Sequence, residues 1–294
     1  MESTRERGIS LALFVATLAS MFWSQGGLEA FRDLDVALRA ASYSAALMAF
    51  LLSHELAHYI VALRHGFRLS LPYFLPMPFG GFGTLGAVIQ LRSKPTSRTA
   101  LLEMAAAGPL AGAVVAFVLL AIGLRFTGPD IALEAGQSYM IFTDPWAVEL
   151  LGTAVAGAPP GRYAELHPVA LAGWVGCLVT SINLIPLGQT DGGHILGALL
   201  PRWATWCSRG IVVLMVVAGV LVWPGWAVWA GVLLVIGAWR NLEVRERPGL
   251  TTRARWLAVA ALLVLVLTFM PEPIQIEEVP LPETVGEADA LRPE

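Results

Sequence analysis

Leu51-Leu52-Ser53-His54-Glu55-Leu56-Ala57-His58-Tyr59 lies inside an apolar run that covers residues 41–63. A helix needs roughly 20 mostly apolar residues to cross a hydrocarbon core, so the run reads as a membrane span. Three ionisable side chains sit inside it. Such groups are expensive in lipid and are placed there for function. On a helix, His54 and His58 fall one turn apart on the same face and can converge on one cation. Glu55, beside the first imidazole, is placed to take a proton from water held by that cation. Polar residues that only glue helices together would not need this spacing.

The rest of the chain supports a membrane setting. Of its 294 residues, 56% are hydrophobic and 14% charged, whereas a soluble domain carries about a quarter charged residues. Further apolar runs predict spans near 9–24, 101–124, 168–187, 207–223, 226–240 and 255–270. Residues 210–239 alone would make a helix of about 45 Å, too long for one crossing. Pro224-Gly225 in their middle predicts a turn and two short spans. The first run follows Arg5 and Arg7 but has no clear small-residue cleavage site before polar sequence, so it reads as an uncleaved helix. The expected fold is an all-α polytopic membrane protein of about six to seven transmembrane helices, with residues 1–270 as one domain and a catalytic core near 41–200.

Charge orients the bundle. With the N-terminus inside, only Arg32, Arg39, Arg125, Arg162 and Arg292 of the 19 basic residues fall outside, as the positive-inside rule requires. Lys94 is the single lysine, and the Arg bias with abundant Ala and Gly points to a GC-rich bacterial source and the cell (inner) membrane. No basic arm suggests nucleic acid. Cys177 and Cys207 have no neighbours at metal-ligand spacing and read as small packing residues. Residues 66–99 are rich in Pro and Gly, with a strand-like Ala87–Leu91, and predict a membrane-associated β-hairpin or loop on the inner side. The 126–166 connection is outer and holds an ambiguous apolar piece at 145–157. The Pro- and Glu-rich tail, 271–294, has little to bury and is expected to be disordered.

A catalytic zinc takes three protein ligands and leaves one position for water. Candidates for the third lie in Asn183-Leu184-Ile185-Pro186-Leu187-Gly188-Gln189-Thr190-Asp191-Gly192-Gly193-His194. The second and fourth spans run in the same direction, so Asp191 arrives at the inner-leaflet level of His54 and His58. Pro186 and the glycines break the helix there, and irregular backbone at that depth is tolerated only against protein or a wet cavity.

A helical HExxH in one span followed by N-x-x-P-x-x-x-x-D-G at a later one resembles the site-2 protease family of intramembrane metalloproteases. Ala105-Ala106-Ala107-Gly108-Pro109-Leu110-Ala111-Gly112 and Gly83-Thr84-Leu85-Gly86-Ala87-Val88-Ile89 are similar to a PDZ-less subgroup of cyanobacteria, other bacteria and plastids. The resemblance covers about 45–255. It implies one zinc ion on His54, His58 and Asp191, Glu55 as catalytic base and Asn183 as a substrate-binding or carbonyl-polarising residue. It also implies a transmembrane protein as substrate, cut within its span. Thr190 stands where Leu is frequent in the family. The Gly80–Leu91 segment offers a strand edge to an unwound substrate.

His194 competes with Asp191 for the third ligand position, but the carboxylate fits the motif, leaving His194 a supporting or helix-start residue. His65 reads as a solvated loop residue, His167 as interfacial, and Glu103 as a charge at a helix start. Gly108-Pro109 and Gly112 are expected to allow close helix packing. Two rival readings use the same ligands: a metal transporter, which leaves Glu55 unexplained, and a catalytically silent scaffold. Substrate identity and oligomeric state are not written in the chain.

Overall fold

In the computed structural model, residues 4–79, 81–161, 163–235, 244 and 249–280 are described. Among them the chain forms nine α-helices and two small antiparallel sheets. Four helices are long and apolar enough to cross a membrane: α1 (Thr4–Gly26), α2 (Leu34–Arg64), α3 (Arg98–Gly123) and α7 (Ala204–Leu221). The shorter α4 (Trp146–Ala156), α5 (Pro168–Leu184) and α8 (Gly225–Val235) are also apolar. The remaining two are α6 (Asp191–Leu199) and α9 (Thr252–Thr268). Every expected span therefore contains a helix, with shifted ends. The expected 226–240 span is seen to Val235, and its remainder lies outside the described residues.

Local chemistry sets the helix starts. Asp33 caps α2 by accepting from the Asp35 and Val36 amides, and Ser97 caps α3 by accepting from the Ala100 amide. Helices α2, α3 and α5 form the centre, where Tyr43, Leu47, Phe50, Leu120, Trp174 and Leu178 share one buried cluster. The near-complete burial of α5 explains how a 17-residue helix holds the middle of the bundle. By contrast, Val213, Leu214, Val217, Val220 and Leu221 on α7, and Val259, Leu262 and Leu263 on α9, are exposed. Apolar faces of that extent suit hydrocarbon rather than water.

Three expectations need correction. The hairpin does exist, as β1 (Tyr73–Pro76) against β2 (Thr84–Val88), with a bulge between Phe74 and Pro76. It is not confined to one end of the bundle. Ser10 near the start of α1 donates to the Pro72 carbonyl at 2.6 Å, while Ser20 and Gln25 near its other end donate to Gly83 at 2.7 Å and Gly81 at 3.0 Å. Those contacts stretch along α1 for roughly 22 Å at 1.5 Å per residue, so the hairpin runs most of the depth of the bundle. Phe82 at its far end packs near Trp174 and Phe142.

The second correction concerns residues 271–294. Ile274–Glu278 form β4, paired with β3 (Ser138–Phe142) in register from Ser138↔Glu278 to Phe142↔Ile274. The composition is poor in packing residues, but ladder hydrogen bonds to a strand far away in sequence order it. Residues 281–294 lie outside the described residues. Third, His65 is not simply a solvated loop residue: its Nε2 pairs with Glu103 at 3.0 Å. Cys177 is buried, Cys207 half-buried, and both are free.

Candidate metal centre

The two histidines come from the C-terminal half of α2, and both are buried. Their shared helix face brings the Nε2 atoms to 3.2 Å of one another. Asp191 reaches them as the first residue of α6. One carboxylate oxygen lies 3.3 Å from His54 Nε2 and the other 3.2 Å from His58 Nε2. Ligand atoms about 2.0–2.2 Å from a tetrahedral zinc stand about 3.3–3.6 Å apart; the pairwise contacts here are of that size, the two from Asp191 ending on different carboxylate oxygens, and one ligand atom from each residue lies within 4.8 Å of the others. Two imidazole nitrogens and one carboxylate are also the donor set of a catalytic zinc, so the residues fit the ion. Among the described residues, His54, His58 and Asp191 form the one such cluster of potential metal ligands.

The surroundings fix these groups unequally. His58 Nδ1 lies 2.8 Å from the Met104 carbonyl on α3, so a proton on Nδ1 leaves the Nε2 lone pair facing the cluster. His54 Nδ1 has no hydrogen-bond partner among the described residues. Its ring packs near Phe50, with centroids 6.1 Å apart. Gly108 is what lets α3 come so near. A methyl group there would land on the His58 ring, and one at Gly112 would stand 3.1 Å from His54 Nδ1. The glycines thus seat the imidazoles, a more specific role than general helix packing.

Glu55 is 6% exposed, and its electrostatic neighbours are His54, His58 and Asp191. Asn183 lies in the last turn of α5, half-buried, on the connection leading to Asp191. His194 sits one turn after Asp191, outside the three-residue cluster, with a buried Nδ1 that lacks a hydrogen-bond partner among the described residues. Sequence reasoning missed Met104, whose backbone carbonyl carries no residue-type signal, and Arg98. Arg98 donates from Nε to the Ala198 carbonyl at 2.6 Å and from Nη2 to the Leu199 carbonyl at 2.9 Å, holding the far end of α6.

A cavity of about 500 Å³ lies at the other end of the bundle, bordered by Gln25, Arg39, Tyr139, Asp144 and Glu165. Burial, with Glu149 nearby, pushes the Asp144 carboxyl up to about 7. His167, the N-cap of α5, is pushed down by burial and by Arg39.

A helical bundle that holds a His-His-Asp cluster beside a buried glutamate defines the class of membrane-type metallopeptidases. The sequence profile of peptidase family M50 matches residues 42–222. The chain belongs to that family, the site-2 protease family. It is 31% identical over 239 residues to the Arabidopsis thaliana protein named "Probable zinc metalloprotease EGY1, chloroplastic", covering 76% of this chain and 42% of that protein. It is 34% identical over 199 residues to the Arabidopsis thaliana EGY2 protein, covering 65% of this chain and 34% of the other. The rice (Oryza sativa subsp. indica) EGY2 protein is 34% identical over 178 residues, covering 60% and 32%. The chain thus spans less than half the length of these relatives. No solved structure matches it.

Proposed function

We propose that the chain is an intramembrane zinc metalloendopeptidase that cuts transmembrane segments of membrane-protein substrates. The observation that carries this reading is the cluster of His54, His58 and Asp191, joined pairwise by contacts of 3.2–3.3 Å next to buried Glu55. Seven crossings, α1, α2, α3, α5, α7, α8 and α9, would seat the bundle in a bacterial cell membrane with the N-terminus and metal centre towards the cytoplasm. The inner excess of Arg is the support for that orientation.

Zinc, when bound, would polarise a scissile carbonyl and lower the pKa of a coordinated water to about 7. Glu55 accepts the proton of the attacking water and delivers it to the leaving amine. Asn183 donates from its side-chain amide to the oxygen that gains charge. A helical substrate hides its carbonyls in its own hydrogen bonds, so it must unwind before it is cut. The outer edge of β2 gives the unwound stretch a strand to pair with.

Glu55→Gln is the direct test. It keeps the shape of the side chain but removes the proton acceptor. The variant, purified in detergent or rebuilt into liposomes, is expected to bind one zinc as the parent does and to cut a model transmembrane substrate at least about 100-fold more slowly. Undiminished proteolysis by the variant would remove Glu55 from its role. Zinc uptake into sealed vesicles without proteolysis by the parent would favour a transporter.

A further inference from the structure

The three ligands do not share the same source of precision. His54 and His58 ride on one helix, which sets their spacing locally. Asp191 comes from a separate nine-residue helix, reached through Ile185-Pro186-Leu187-Gly188-Gln189. Nothing in the covalent chain fixes where its carboxylate falls.

We propose that the Thr190 hydroxyl is the positioning group for the Asp191 carboxylate. This rests on the reading of His54, His58 and Asp191 as zinc ligands. The hydroxyl is 8% exposed as part of its residue and ties together three backbone groups around Asp191. It donates to the Ile185 carbonyl at 2.5 Å, accepts from the Gly193 amide at 3.1 Å and accepts from the Leu187 amide at 3.3 Å. Thr190 is also the N-cap of α6, so Asp191 is the first residue of the helix and lies at its positive end. The Thr190 amide closes the turn by donating to the Leu187 carbonyl at 2.8 Å.

The fit leaves little room for drift. A methyl group on Gly192 would land on the Leu184 carbonyl, and one on Gly193 on the backbone of Leu187 and Gly188. The start of α6 is therefore pressed against the loop that Thr190 knots. Without the hydroxyl, the Gly193 amide loses its buried acceptor, while the Leu187 amide keeps the Ile185 carbonyl at 2.8 Å, so the first turn of α6 must shift to find another partner. Any such rearrangement moves Asp191 relative to two imidazoles on a different helix.

The experiment measures zinc affinity of the full chain in detergent by competition with a chromophoric chelator, together with the absorption spectrum of the cobalt-substituted form. Thr190→Val, nearly isosteric, is expected to weaken zinc binding at least about 10-fold, as loss of a group that orients a ligand does, and to alter the cobalt spectrum. Thr190→Ser is expected to restore affinity to within about 3-fold of the parent, because a serine hydroxyl caps equally well. A merely structural role would lower the melting point of the metal-free protein and leave both readouts of the folded fraction unchanged. That result overturns the proposal. Should Thr190→Val fail to fold, Thr190→Ala removes the hydroxyl without adding bulk and carries the same expectations. A parent that binds no zinc would sink the ligand reading itself; a parent that binds zinc no better than Thr190→Val would sink only the role of Thr190.

Discussion

The imidazole of His58 is caught between two features of α3: the Met104 carbonyl, 2.8 Å from Nδ1, and the bare surface of Gly108 against the ring. Each acts on a different property. The carbonyl selects the tautomer, and the glycine sets how closely the ring may approach. Gly108→Ala should therefore force the ring or the helix to move. We expect a loss of about 1–3 kcal/mol of stability, the usual cost of overpacking, and weaker zinc binding. Chemical denaturation of the metal-free protein and chelator competition measure the two effects. At this scale His54, Glu55 and His58 were legible because helical spacing alone places them, and Asp191 because its segment breaks a span. Met104 was not legible, since any residue type supplies the same carbonyl. Gly108 was legible only as a small residue; that its empty face meets an imidazole depends on how α2 and α3 cross.

At the scale of elements, α6 is short enough that its ends decide its position. Thr190 holds the first turn, and the two Arg98 hydrogen bonds hold the carbonyls of the last. Arg98→Ala removes both bonds and leaves the Ala198 and Leu199 carbonyls in a half-buried setting. The expected cost is about 2 kcal/mol, read as a lower melting temperature in detergent. Arg98→Lys should recover only part of it, because an ammonium cannot reproduce the forked geometry. The β1–β2 hairpin makes a complementary point. Its glycines and prolines announced that residues 66–99 would not be helical. Its reach along α1 was hidden, because its partners Ser10, Ser20 and Gln25 lie 62, 63 and 56 residues from the carbonyls they bind.

For the whole molecule, the exposed apolar faces of α7 and α9 and the buried polar centre invert the arrangement of a water-soluble protein, which is the expected solution when lipid is the solvent. The end opposite the metal centre is closed by the β3–β4 pair and carries the cavity lined by Asp144. Asp144 makes global stability depend on pH. Its folded value of about 7 is raised above the ordinary value near 3.9 of an unfolded aspartate. The folded state therefore holds the proton more tightly, and stability falls as pH rises from about 4 to about 7, with the full loss present above pH 7. Asp144→Asn should flatten that part of the profile. Relative to the parent it should be more stable at pH 8 than at pH 5, by on the order of 2 kcal/mol after allowance for partial exposure. Melting curves across that range check the sign.

The sequence by itself determined that the chain is apolar enough for a membrane, where its long apolar helices lie, and that His54 and His58 share one helix face with Glu55 beside them. Those properties follow from local composition and from the 3.6-residue repeat, which act over one or two turns. Tertiary structure alone decided how far the hairpin travels, that residues 274–278 become a strand, and how Asp191 meets the histidines. Each of these depends on hydrogen bonds between segments dozens of residues apart, and no local pattern encodes which distant partner a backbone group will find.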